Sequence, residues 1–112
     1  YDEYNHVKKG KLFQVYIKRG HHKWNKKYIN ICHDKLIIST FPKFENPKII
    51  MLEDIIALEK ISNDDNHVTK ETEWCFKLGC KDVDYYICTD LLDGMNEIYE
   101  SIKVRMDIFE TL

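Results

Sequence analysis

The most constraining feature of the chain is its rhythm. Up to residue 89, short runs of β-forming residues alternate with turn signals, and only the last segment changes period. The runs are Gly10 to Lys18 (GKLFQVYIK), Trp24 to Cys32 (WNKKYINIC), Lys35 to Thr40 (KLIIST), Lys48 to Met51, Ile55 to Ile61, Glu73 to Leu78 and Asp84 to Thr89. Between them lie Gly20-His21-His22, His33-Asp34, a loop from Phe41 to Pro47 with two prolines, a polar loop from Ser62 to Lys70, and Gly79 to Asp82. Short strands separated by tight turn chemistry predict an antiparallel meander. Leu52 to Lys60 also fits a helical period, so the fifth run is the most ambiguous. Beyond Thr89 or Asp90, either of which suits an N-cap, Leu91, Met95, Ile98, Ile102, Met106 and Phe109 recur at spacings of three and four. That period predicts an amphipathic helix of about five turns whose apolar stripe plugs one end of the strand structure. Tyr99, Met95 and Met106 are read as part of that core.

The chain has 112 residues, 44% of them hydrophobic, which fits one folded domain with a core of its own. The domain is expected to span residues 1–112, with its core over about 9–109 and a polar lead-in over 1–8. The sequence begins at Tyr1 rather than Met and reads as a piece of something longer, so a targeting or lipidation signal ahead of it would not be visible. Its apolar runs, such as Ile55-Ile56-Ala57-Leu58, are far too short to span a bilayer as a helix.

The net charge of −2 hides a polarised chain. Residues 1–48 hold eleven Lys/Arg against four Asp/Glu, or +7; residues 49–112 hold six against fifteen, or −9. One basic pole, attractive to anionic partners, is therefore expected. Lysines outnumber arginines fifteen to two, so that pole offers point charges more than planar forks.

Several function classes are disfavoured. The four cysteines, Cys32, Cys75, Cys80 and Cys88, form no CxxC pair. Cys32, Cys75 and Cys88 fall inside strand-like runs, where reduced thiols act as small hydrophobes, which fits a reducing, cytoplasmic setting better than a disulfide framework. His33 beside Cys32, with His6 and His67 scattered, has no zinc-ligand spacing. No nucleophile elbow, phosphate-cradling glycine loop or HExxH is present, and the carboxylates of 53–100 read as surface charge rather than an acid/base pair. A catalytic role, a metal and a cofactor are therefore not expected. A pI near 6.2 argues against nucleic acid as the partner.

Local residues sharpen the strand-and-helix order. Gly10-Lys11-Leu12 opens the first run, Trp24-Asn25-Lys26-Lys27-Tyr28 opens the second, and Leu52-Glu53-Asp54 follows the fourth. Over roughly Lys9 to Phe109 this resembles the pleckstrin-homology (PH) family. The resemblance implies a mainly β (α+β) fold: a seven-stranded, bent antiparallel β-barrel or sandwich capped by one C-terminal helix. PH domains usually carry a tryptophan in that helix; the matching position here is Ile98, and Trp74 sits in the sixth run instead. A narrower similarity is to small acylated PH proteins.

The resemblance also implies a lipid-headgroup site at the first hairpin. Lys18 and Lys27 match two of the basic positions used by phosphoinositide-binding members, while Asn25 stands where Lys or Arg is usual. The incomplete pattern points to a simpler anionic headgroup, such as phosphatidic acid or a singly phosphorylated inositide. The residues alone support a basic pole here. Lys27 shares a strand face with Asn25, Ile29 and Ile31, which places it at the core's rim; Lys18 shares one with Leu12, Gln14 and Tyr16. Arg19, His21, His22, Lys23 and Lys26 surround the turn, and Lys43 and Lys48 can close the other side. Each basic residue near an anionic membrane contributes about 1 kcal/mol, and Phe41 and Phe44 are placed to enter the interface. His21 and His22 would add charge on acidification. The acidic helix face of Glu97, Glu100, Asp107 and Glu110 would then point away from the bilayer. The expected protein is a monomeric peripheral membrane module. The rival is a protein-binding scaffold at a strand edge or beside the helix.

Overall fold

Apolar alternation decides which way each strand faces. In the first run Val15 and Ile17 are buried while Leu12 and Gln14 are exposed, so odd-numbered residues point to the core. The computed structural model describes residues 12–40, 47–61 and 71–111, the last three without their side chains. It contains β1 (Leu12–Arg19), β2 (Asn25–Ile31), β3 (Lys35–Ser39), β4 (Lys48–Met51), a 3-10 turn (Leu52–Asp54), β5 (Ile55–Lys60), β6 (Trp74–Cys80), β7 (Asp84–Thr89) and α1 (Leu92–Thr111). All seven expected strands and the closing helix are present. The helical alternative over Leu52 to Lys60 gives way to one 3-10 turn and a strand, because the β-branched pair Ile55-Ile56 favours an extended backbone.

Every strand pairing is antiparallel, in one sheet of order β4-β3-β2-β1-β7-β6-β5. The sheet is not closed: β4 and β5 are its edges. The concave side carries Val15 and Ile17 from β1, Ile29 and Ile31 from β2, Leu36 and Ile38 from β3, and Phe76, Leu78 and Ile87 from β6 and β7.

The helix covers that side with Met95, Ile98 and Ile102, which are 5%, 0% and 0% exposed. Ile98, standing where the family usually has tryptophan, is therefore a core residue, and burying such a side chain stabilises by about 1.5–3 kcal/mol. Met106 packs at the edge of the same cluster. Leu91, read as the first residue of the stripe, is instead 71% exposed. It precedes the helix, and its carbonyl accepts the first helical hydrogen bond, from the Met95 N–H at 3.2 Å, which is the N-cap role. Thr89 serves the cap differently from the expectation, its hydroxyl donating to the Leu91 carbonyl at 2.7 Å. Phe109, the last of the stripe, lies outside the described side chains.

The cysteine expectation is corrected. Cys75 and Cys88 are joined by a disulfide, while Cys32 and Cys80 are free. The two face each other across β6 and β7 with a Cα–Cα distance of 4.1 Å, the close spacing of a non-hydrogen-bonded antiparallel pair. The turn at 81–83 sets the register that brings them opposite.

Candidate functional site

The β1–β2 hairpin is held by its backbone before any side chain acts. Gly20 adopts φ +56°, a left-handed conformation that suits glycine. Its N–H donates to the Asp84 carbonyl at 2.7 Å, and the His22 N–H donates to the Arg19 carbonyl at 2.9 Å. The hairpin is thus tied to the start of β7. A Cβ at Gly20 would meet Val83 Cγ2 at 3.5 Å, so space is available and the backbone angle is the obstacle. Gly20→Ala is expected to lower stability by about 1 kcal/mol, read by thermal denaturation; an unchanged melting temperature would show that the turn relaxes freely.

Beneath this hairpin lies an open cleft of about 160 Å³. Its floor is apolar, formed by Ile17, Ile38 and Tyr85. Its rim is basic and polar, formed by Arg19, His22, Lys23, Asn25, Lys27 and Lys48. Lys27 is half-buried and its Nζ donates to Thr40 Oγ1 at 2.8 Å, which aims the ammonium across to the end of β3. Asn25 Nδ2 donates to the Lys23 carbonyl at 3.2 Å and steadies the turn. The room is well under the roughly 300–1,000 Å³ of drug-sized ligand pockets, and suits a phosphate-sized group. Cations around such a spot favour an anion.

The residues singled out in the sequence are divided by the sheet. Arg19, His22, Lys23, Lys27 and Lys48 come together at the cleft. Lys18 does not: it lies on the even-numbered, outer face of β1. There its Nζ sits 5.6 Å from the Trp24 ring centroid and 5.4 Å from that of Tyr86. Two cation–π contacts of about 0.5–1 kcal/mol each pin the hairpin loop to β7. Lys26, opposite Tyr16 in the pairing, also takes the outer face. His21 is exposed in the turn and is not among the residues lining the cleft. Lys43, Phe41 and Phe44 lie outside the described residues.

A second, smaller cleft of about 90 Å³ adjoins the first and went unnoticed in the sequence. Arg19, Lys48 and Tyr85 line both clefts. The second is completed by Ile49, Ile50, Asp54, Cys80, Lys81, Asp82 and Val83. Lys81 Nζ stands 3.7 Å from Asp54 Oδ1. Burial pushes the Cys80 thiol up to about 11, with the carboxylates of Asp84, Asp54 and Asp82 adding to the rise and Lys48 opposing it. Among the described residues no group of three or more His, Cys, Asp or Glu side chains is arranged to hold a metal ion. Nor is any helix among them long and apolar enough to cross a membrane.

Neither a family model nor a curated protein matches the sequence. Solved structures do match in shape. The C-terminal PH domain of human pleckstrin superposes with a TM-score of 0.70 at 18% identity, over 88% of this chain and 82% of that one. The Vps36 N-terminal PH domain gives 0.70 at 16% identity, over 91% and 80%. An activated truncation of Vav1 gives 0.71 at 13% identity; the match covers 87% of this chain but only 26% of the Vav1 chain. These likenesses show a pleckstrin-homology fold, as the order of strands and helix implied.

Proposed function

We propose that this pleckstrin-homology fold works as a membrane-recruitment module that takes the phosphate of an anionic phospholipid headgroup into the cleft under the β1–β2 hairpin. The observation that carries the reading is the convergence of Arg19, His22, Lys23 and Lys27 from the β1–β2 hairpin and Lys48 from β4 around one phosphate-sized space. The mechanism is attraction and hydrogen bonding, with no bond made or broken. Arg19 offers a planar fork to phosphate oxygens and the lysines offer point charges. Phosphatidic acid and a singly phosphorylated inositide both supply the required group, and the site stays within the roughly 1 kcal/mol per basic residue that holds a peripheral protein weakly.

The test is vesicle co-sedimentation, with neutral phosphatidylcholine vesicles compared with vesicles carrying an added anionic lipid. Arg19→Ala/Lys27→Ala is expected to reduce binding about tenfold or more, from two lost charge-assisted contacts. Lys18→Ala/Lys26→Ala, on the outer face, removes the same charge and is expected to reduce binding much less. Equal loss in both variants, fading with salt in parallel, would mean a diffuse basic surface in place of a site.

A protein-binding reading is favoured by one observation. β5 is an edge strand and its Ile56 is 66% exposed, which suits addition of a partner strand. Failure to sediment with any anionic vesicle at low salt would promote that reading.

A further inference from the structure

Thr40 stands where a phosphate would meet two lysines at once. It follows the last residue of β3, and the β2–β3 register, with Tyr28 opposite Ser39, brings it opposite Lys27. Its Oγ1 accepts a hydrogen bond from Lys27 Nζ at 2.8 Å. On its other side Lys48 pairs with Ile38, two residues back on the same face of β3, which makes Lys48 the diagonal neighbour of Thr40. Lys27, Ile38 and Lys48 all line the cleft under the hairpin. We infer that Thr40 is a phosphorylation site whose phosphate draws in Lys27 and Lys48 and closes that cleft to an external phosphate. The closing role rests on the headgroup reading above and adds its regulation; the modification itself does not.

Three features carry the inference. The first is access: among the described Ser and Thr side chains (Ser39, Thr40, Thr72, Thr89 and Ser101), only Thr40 is exposed, and the others are buried or half-buried. The second is what receives the phosphate. A phosphothreonine carries about −1.5 to −2 charge near neutral pH and three strong acceptor oxygens. Ammonium groups on the strands to either side of Thr40 are placed to donate to them. The third is that the site and the cleft use the same cations. Lys27 and Lys48, once engaged by an internal phosphate, are no longer offered to a headgroup, and a second phosphate in a space of about 160 Å³ would meet like charge. The unmodified hydroxyl lies outside the cleft's lining and leaves it open. The step is phosphoryl transfer by a protein kinase. Thr40 Oγ1 forms a bond to the γ-phosphorus of ATP, the bond from that phosphorus to the bridging oxygen breaks, ADP leaves and the hydroxyl proton is released.

To test the site, the folded protein is incubated with ATP and a panel of serine/threonine protein kinases, and modified residues are located by tandem mass spectrometry. Phosphate on Thr40 is expected, and its absence with every kinase overturns the assignment. Protein carrying phosphothreonine at position 40, incorporated during translation, is then compared with unmodified protein. By phosphorus NMR its phosphate should titrate lower than in the same protein unfolded in urea, by about half a pH unit or more, because two cations favour the dianion. Lys27→Ala/Lys48→Ala should remove that difference. Binding to phosphatidylcholine vesicles carrying phosphatidic acid should fall about tenfold or more on phosphorylation. A phosphate that titrates alike in the folded and unfolded protein overturns the inference, while sedimentation of the unmodified protein keeps the headgroup reading standing. Unchanged sedimentation of the phosphorylated protein overturns the closing role. If the unmodified protein sediments with no anionic vesicle, the headgroup reading falls and the closing role falls with it.

Discussion

Replacing Phe76 with alanine is expected to remove about 3–5 kcal/mol of stability, the range for large aromatic truncations in a packed core. Phe76 is fully buried on β6, opposite Ile87 of β7 and Lys60 of β5. Its ring meets Tyr99 of α1 edge-on, with centroids 5.9 Å apart and planes at 85°. Tyr99 in turn donates its hydroxyl to the Leu58 carbonyl at 3.3 Å, and Lys60 Nζ lies 4.8 Å from its ring centroid while donating to Asn96 at 3.1 Å. Phe76 is thus the point where the helix is docked on the β5–β6 end of the sheet. A domain of this size has roughly 5–15 kcal/mol in total, so the variant should lose a large share of it. Thermal denaturation should show the midpoint falling by more than about 12 °C. Phe76→Leu, which keeps most of the volume, should lose far less. A drop of under about 1 kcal/mol in the alanine variant would mean that the helix is not seated on this residue.

How far the site was legible depends on which physical rule fixes each residue. The period-two alternation of β1 is plain in the sequence: Val15 and Ile17 mark the buried face, and Arg19 continues it. That alternation puts Arg19, which lines the cleft, and Lys18, which does not, on opposite faces, although the sequence reading groups both around the first turn. Both the family pattern of basic positions and the strand face that Lys18 shares with Leu12, Gln14 and Tyr16 bring Lys18 to the same turn, and the structure places it there on the outer side. For Lys27 the two kinds of reasoning agreed, since Ile29 and Ile31 fix its side of β2. The helix stripe was legible where residues touch the sheet, at Met95, Ile98 and Ile102, and failed at Leu91, where the chain has not yet entered the helix. In the sequence Asp54 stands out only as the end of Leu52-Glu53-Asp54, and Asp82 only as one of the surface carboxylates of 53–100. Their common cleft exists because a turn after β4 and another before β7 meet beside Lys48, a juxtaposition that no local period encodes.

Reducing the Cys75–Cys88 bond is expected to lower stability by about 2–4 kcal/mol. The sequence separation of 13 closes a loop for which the chain-entropy argument gives roughly 3 kcal/mol. The folded state has little to lose besides the bond itself. The two residues are direct partners in an existing strand pair, and they are 1% and 0% exposed. In the reduced chain they become two small apolar side chains at the same positions, so the fold should persist with its hairpin less restrained in the unfolded state. Because both sulfurs are shielded, the reductant has to be applied under denaturing conditions and the protein refolded with it present. Oxidised and reduced wild type, compared by denaturant unfolding, should differ in midpoint by the stated amount. Cys75→Ala/Cys88→Ala should show no difference between the two conditions. If oxidised and reduced wild type unfold at the same midpoint, and free-thiol counting finds four thiols in both, the sulfurs stay reduced in solution and Cys75 and Cys88 act as buried hydrophobes. If two thiols are counted in the oxidised form, the β6–β7 pair is covalently locked. The cleft under the β1–β2 turn then rests on a clamped hairpin, since β7 is the strand to which Gly20 ties that turn.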